Sequence, residues 1–264
     1  MYYIVLSYQK LKKYFLELKK GDLIAIRIPF KDEEKLLIVD LMTRGVEAYP
    51  SFLSQILCSS KTLQAEVLRE FMLPFTRVVR DKHSLLMIMQ EYKENSIEGA
   101  VITKEDKANC GLGVRLWDNI EQVFNFAGTD VLQFPFVIQP FYENLKDIRV
   151  IILGDKYIEA YQRKNPYNFR QNIFFGGKSI PYELSKEELE FCKKVMKRGG
   201  FPHAHIDLVY IENQGPYISE INLKGGIKGA KISTEEYEKI LKELRDEFIK
   251  KWEKTFQPIK YLTL

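Results

Sequence analysis

Residues 206–222 constrain this chain more than any other stretch. Ile206-Asp207-Leu208-Val209-Tyr210 and Tyr217-Ile218-Ser219-Glu220-Ile221-Asn222 alternate apolar and polar residues and flank a turn-forming Asn213-Gln214-Gly215-Pro216. That is the pattern of a β-hairpin. Successive strand side chains point to opposite faces, so Glu220 and Asn222 share one face. If Asp207 pairs opposite either of them, two carboxylates and an amide converge there. Such a set suits a hard divalent cation like Mg²⁺, which takes a few carboxylates plus phosphate oxygens. For the hairpin taken alone, a solvated polar face is the simpler reading.

The 264 residues can bury one large core or build two to three small lobes. A content of 45% hydrophobic and 29% charged residues is that of a folded globular chain. Its 40 basic and 36 acidic residues are intermixed and leave a net charge of only +4, which argues against nucleic acid as a partner. Cys58, Cys110 and Cys192 are far apart and lack metal-ligand spacing, so reduced thiols are expected. No segment approaches a membrane span, and the apolar run at residues 1–6 is too short for a secretion signal. A soluble, cytoplasmic protein with no membrane partner is expected.

The pattern predicts strands over 1–7, 21–29 and 46–49, with helices over 9–18, 33–43 and within 51–71, a small α/β layer. Leu73-Pro74-Phe75-Thr76 breaks it. An extended 77–80, an amphipathic helix over 81–94, a strand over 98–104 and a glycine-containing loop over 107–114 follow. Further strands are expected at 136–141, 148–153 and 157–163. Ser185 with Glu188 and Ser233 with Glu236 have capping-box spacing. The first box opens a helix through Arg198 that Gly199-Gly200 stops. The second opens one whose Tyr237, Ile240, Leu241, Leu244, Phe248 and Trp252 form a packing stripe. The expected class is therefore α/β and α+β, divided into an N-terminal domain at 1–73, a central lobe at 74–135 and a strand-rich lobe at 136–264.

Several residues carry chemistry or have an ordinary structural reading. Lys104 precedes a loop containing Gly111 and Gly113; an ammonium and loop N–H groups can hold phosphates, and an ordinary turn would look the same. Phe136-Val137-Ile138-Gln139-Pro140-Phe141 is either an edge strand, where proline is tolerated, or a hinge whose backbone reads an adenine edge. Arg149, Arg163 and Arg170 are either salt-bridge partners or forks for phosphate and carboxylate oxygens. His203 and His205 alternate toward Asp207 and are expected to be satisfied structural histidines. No nucleophile–histidine arrangement emerges.

Taken in order, these pieces resemble the ATP-grasp superfamily, and within it the glutamate-ligase branch typified by RimK. Tyr49-Pro50-Ser51 with Lys61 is similar to the passage closing the first lobe, and Leu73-Pro74-Phe75-Thr76 to the linker after it. Val101-Ile102-Thr103-Lys104 with Gly111 and Gly113 resembles the phosphate strand and loop. Gln139-Pro140-Phe141, Asp147-Ile148-Arg149, Gly154-Asp155-Lys156 with Arg163, and Phe169-Arg170-Gln171-Asn172 follow in the family's order. Asp207, Glu220 and Asn222 fall on its metal positions.

The resemblance implies an ATP-grasp fold whose lobes clasp the nucleotide, and an ATP-dependent ligase forming an amide through an acyl phosphate. It implies Mg²⁺, with Mn²⁺ as a substitute and two ions in the site, held by Asp207, Glu220 and Asn222. Lys61, Lys104, Gly111, Gly113, Gln139, Pro140, Phe141, Asp147 and Arg163 would bind the nucleotide. Arg149, Arg170 and Asn172 would stabilise the transferring phosphoryl group. Partners would be ATP, a glutamate-like acid and an amine, or an acidic peptide or protein acceptor, and a homo-oligomer is usual among relatives. The alternatives are a non-catalytic nucleotide-binding scaffold and a peptide-tailoring ligase. This chain departs from the pattern at Asn222-Leu223-Lys224-Gly225-Gly226, on the acceptor side, and at Pro140 in the hinge, where the Phe141 N–H is expected to remain available.

Overall fold

The computed structural model describes residues 1–29, 34–107, 112–171, 173–212 and 214–263. The chain opens with β1 (Tyr2–Val5), α1 (Tyr8–Tyr14), β2 (Leu23–Ile24), α2 (Lys35–Thr43) and β3 (Glu47–Ala48), and the three strands pair in parallel. Ser7 caps α1 by accepting the Lys10 N–H. The buried Asp22 carboxylate accepts the Tyr3 and Lys19 N–H groups, each at 2.7 Å, and ties the start of β1 to the loop before β2. The expected strand over 21–29 is short: β2 ends at Ile24, the Ala25 N–H still donates to the Val5 carbonyl at 2.9 Å, and the chain bends at Ile26.

Helices α3 (Phe52–Leu57) and α4 (Lys61–Val67) lead into the central sheet. Its elements are β4 (Arg77–Val79), α5 (Lys82–Glu94), β5 (Val101–Glu105), β6 (Val114–Trp117), α6 (Ile120–Phe126) and β7 (Phe136–Pro140). The strands are antiparallel in the order β4-β7-β5-β6. Tyr92, Val101, Phe136 and Ile138 lie in the core beneath α5 and α6. The edge-strand reading of residues 136–141 is wrong, because β7 lies between β4 and β5. Pro140 is tolerated as its last residue, past Ile138 where pairing with β4 ends.

The third sheet contains β8 (Lys146–Leu153), β9 (Tyr157–Lys164), β10 (Lys178–Pro181), β11 (Ala204–Ile211) and β12 (Gln214–Asn222), with α7 (Lys186–Gly199) between β10 and β11. All its pairs are antiparallel, in the order β10-β9-β8-β11-β12. One face presents Ile148, Val150, Ile152, Ile206, Leu208, Ile218 and Ile221 to Cys192, Val195 and Met196 of α7. Each such aliphatic side chain contributes roughly 1.5–3 kcal/mol on burial. The Ser185–Glu188 box is reciprocal, and Gly200 ends α7 at φ 67°, where a Cβ would stand 2.7 Å from Ser51 Oγ.

The opposite face is only half covered. α8 (Thr234–Glu253) lays Tyr237 and Ile240 over Ile151, Leu153 and Tyr161. Its expected box is half-formed: Ser233 accepts the Glu236 N–H, with no return bond among the described residues. β13 (Ile259–Leu262) then pairs in parallel with β1, so the chain's last strand belongs to the first sheet. Among the described residues no helix is long and apolar enough to cross a membrane.

Candidate active site

The uncovered half of that face carries the polar residues. Cross-strand pairing sets Tyr161, Arg149, Asp207 and Glu220 in one row across β9, β8, β11 and β12. A second row holds Arg163, Asp147 and Val209; a third holds Ile151, His205 and Asn222. Asp207 thus stands opposite Glu220, with Asn222 two residues along the same face. Just past this pair the register slips: Leu208 pairs with Ile218, leaving Ser219 as the extra residue of a bulge. The slip keeps both Ile218 and Ile221 in the core while Glu220 faces the cavity.

Because β12 is an edge strand, its outer backbone groups need partners. Gln64 of α4, fully buried, accepts the Ile221 N–H at 3.0 Å and donates to the Ile221 carbonyl at 2.9 Å. That bidentate contact fixes the strand carrying Glu220 and Asn222.

These rows floor a cavity of about 610 Å³ that the central sheet closes from the other side. Arg163 Nη2 lies 2.6 Å from Asp147 Oδ1 and 3.0 Å from Asp207 Oδ2, and Arg149 holds Asp207 through Nε and Nη2. Burial raises a carboxyl pKa, but at Asp207 the two guanidinium groups outweigh it and hold the group down to about 2. At Asp147 burial prevails, and its carboxyl is pushed up despite Arg163. The Lys104 ammonium crosses from β5 to the bulge, donating to Ser219 Oγ at 3.1 Å. Burial brings it down to about 8, against the opposing pull of Glu220. Glu220 accepts from the Asn222 amide at 3.0 Å. Lys104 and Glu220 both face the cavity without an ion-pair partner among the described residues.

Other expected residues are placed as follows. Lys61, the first residue of α4, lines the cavity, as do Gln139, Phe141 and Arg170. The Arg170 guanidinium lies against the Phe169 and Phe175 rings and donates to the Val114 carbonyl, linking the third lobe to the central sheet. The Phe141 N–H is not available for a base, because it donates to the Ala100 carbonyl at 2.9 Å. Gly113 accepts the Glu105 N–H at the base of its loop, and neither it nor Pro140 lines the cavity. Gly111 and Asn172 lie outside the described residues. His203 and His205 are buried, but each leaves Nδ1 without a hydrogen-bond partner among the described residues, contrary to the expectation of satisfied rings; His205 Nε2 meets the Tyr237 hydroxyl at 2.9 Å. Reading the sequence missed Ser219, which only the bulge brings to Lys104. It also missed Arg27, whose one local signal is a charge inside an apolar run.

Three sheets around one polar cavity, with a lysine of the middle sheet reaching the carboxylate hairpin of the third, define an ATP-grasp fold. Solved structures agree. The ATP-grasp ligase PsnB complexed with minimal precursor superposes with a TM-score of 0.56 at 15% identity, covering 94% of this chain and 98% of that one. The D-alanine–D-alanine ligase of Bacillus anthracis complexed with ATP gives 0.58 at 14% identity, covering 95% and 98%. At these identities the likeness is one of fold. A family model described as the RimK-like ATP-grasp domain matches residues 56–244, and the chain belongs to that family.

Curated relatives include a probable alpha-L-glutamate ligase 2 of Shewanella frigidimarina, 36% identical over 90 residues, which are 34% of this chain and 30% of that protein. A probable alpha-L-glutamate ligase of Legionella pneumophila (strain Corby) is 31% identical over 128 residues, 47% and 42% of the two. The chain thus spans less than half the length of these two relatives.

The residues present fit a magnesium nucleotide. Lys104 offers a buried cation to phosphate oxygens, and Glu220 with the Asn222 carbonyl oxygen offers hard donors to a divalent ion. Among the described residues no three Asp, Glu, His or Cys side chains form a metal cluster by themselves, as suits an ion whose remaining ligands are phosphate oxygens and water.

Proposed function

We propose that this chain is an ATP- and Mg²⁺-dependent carboxylate–amine ligase acting on a glutamate-like amino acid or an acidic peptide or protein acceptor. The supporting observation is the meeting of Lys104 with the Asp207–Glu220–Asn222 hairpin across the cavity. In this reading the three lobes are 1–73, 74–135 and 136–264, corrected so that β7 joins the central lobe and β13 the first, and the nucleotide lies between the last two lobes. Gln139, Pro140 and Phe141 border the base, through the Gln139 side chain and backbone carbonyls, given that the Phe141 N–H is taken. Lys61, Lys104, Gly111 and Gly113 take the phosphates, with Asp147 and Arg163 beside them. Bound Mg²⁺ supplies charge neutralisation to the phosphates.

The reaction has two steps. A substrate carboxylate oxygen forms a bond to the γ-phosphorus as the bond to ADP breaks; an amine then forms the C–N bond, phosphate leaves and the amine gives up a proton. Arg149 and Arg170, with Asn172, are placed in this reading to stabilise the charge that builds on the transferring group. Arg163 restrains Asp147 and Asp207 and keeps Asp207 ionised for the metal.

The test is phosphate release from Mg-ATP with amino acids and short acidic peptides supplied singly and in pairs. Release that needs one acid–amine pair, with the matching mass gain in product, is expected. Tight Mg-ATP binding with no stimulation by any acid or acceptor would overturn the ligase reading in favour of a scaffold.

A further inference from the structure

Arg27 lies at the far end of the cavity and has no role in the site described above. One buried side chain pins the backbone on both sides of it. Gln55 Oε1 accepts the Ile28 N–H at 2.7 Å, while Gln55 Nε2 donates to the Ile26 carbonyl at 3.3 Å and the Pro50 carbonyl at 2.7 Å. Ile26 and Ile28 pack into the core of the first sheet, so Arg27 between them turns out into the cavity. It has no hydrogen-bond or carboxylate partner among the described residues.

Two further features belong to the same end. Arg149 commits Nε and Nη2 to Asp207, and Gly225 lies against the remaining edge: a Cβ there would stand 2.8 Å from Arg149 Nη1 and 2.8 Å from His205 Nδ1. Lacking that carbon, Gly225 packs closely against Arg149 without displacing it. The neighbouring Lys224 is already paired with Glu238. Among the described residues Arg27 is therefore a cation left uncommitted at this end. The charge of Arg27 is felt at Cys58 at the end of α3, at His203 just before β11 and at Tyr237 of α8, which places Arg27 near those elements.

Position decides which substrate meets Arg27. Lys146, which opens β8 shortly after the 139–141 hinge, pairs with Tyr210, and Asp147 pairs with Val209, so the hinge lies at the Val209 end of β11. From Val209 to His205 the strand runs about 13 Å toward Gly225. In the ligase reading the order outward from the nucleotide is phosphoryl group, activated carboxylate, then amine. We propose that Arg27 is a specificity-determining residue that grips an unreacting carboxylate of the amine substrate. The planar guanidinium fork matches a carboxylate with two parallel hydrogen bonds. This inference rests on the ligase reading for which substrate occupies that end.

Calorimetric titration of the whole protein with Mg²⁺ and ADP present tests it, using L-glutamate, L-glutamine and L-isoglutamine, the two amides each lacking one carboxylate. The wild-type protein is expected to bind glutamate on the order of tenfold more tightly than one of the amides. Arg27→Ala removes that difference without changing ADP affinity, and Arg27→Lys restores part of it. Equal weakening of all three ligands in Arg27→Ala, a matching loss of ADP affinity, no change, or a wild-type protein that binds none of the three overturns the proposal. Glu220-dependent phosphate release is measured alongside. Its persistence without Arg27-dependent selectivity removes only this proposal; its absence removes the ligase reading itself.

Discussion

Asp207 and Glu220 face each other across the β11–β12 pair, and at the next residue of β12 the pairing slips to leave Ser219 beside the Lys104 ammonium. One bulge thus orients the carboxylates and docks the central sheet's lysine against them.

Glu220→Ala removes the carboxylate that no ion pair engages among the described residues. Magnesium-dependent ATP turnover should be lost while the thermal melting profile stays within the range of an ordinary surface change. Unchanged turnover would take Glu220 out of the metal site.

Arg170→Ala should slow turnover on the order of 10²-fold, the usual cost of removing a donor aimed at developing charge. ADP affinity should change far less. Equal losses in the two would reassign Arg170 to tying the lobes together through Val114.

Lys104 carries a pKa of about 8, so its ammonium is fully charged only below that value. ADP affinity in Mg²⁺ should begin to fall as pH climbs past 8, and Lys104→Arg should abolish the fall because a guanidinium stays protonated. Titrations from pH 7 to 9.5 with both proteins decide it; parallel pH profiles would show that another group titrates.

His203 and His205 are brought down by burial to about 4 and about 3, against an ordinary value near 6.5. The unfolded chain therefore takes up protons from pH 6.5 downward that the folded chain refuses. Stability is full above 6.5 and declines as pH falls toward the folded values. Asp207 acts in the same direction only below the ordinary carboxylate range, whereas the raised Asp147 opposes the histidines above that range. At pH 5 the two histidines together cost about 4 kcal/mol, or roughly 10 °C in Tm. Melting in EDTA from pH 8 to 5 measures this, and His203→Gln should flatten the slope; a level Tm over that span contradicts it.

Gln64→Leu leaves the Ile221 N–H and carbonyl and the Leu57 carbonyl without their buried partner. A loss of about 2–4 kcal/mol is expected from such orphaned groups, read by urea unfolding. Because β12 loses its outer support, Mg-nucleotide affinity should fall as well.

What the sequence determined by itself is what depends on local periodicity. The 206–222 hairpin, the Ser185 box with its Gly200 stop, and the apolar stripe of α8 follow from side-chain spacing within one element. The order of the family's motifs likewise identified the superfamily, since each is a short string. Register and long-range contact were decided only by the tertiary structure. No local pattern marks Ser219 as the extra residue, sends β13 back to β1, commits the Phe141 N–H to Ala100, or pairs His205 with Tyr237. Arg27 reads in sequence as one charge in an apolar run, and becomes a candidate ligand only because Gln55 holds its neighbours and turns it into the cavity. Such choices depend on which surfaces meet when separate elements bury their apolar faces, and that free energy is shared among residues far apart in the chain.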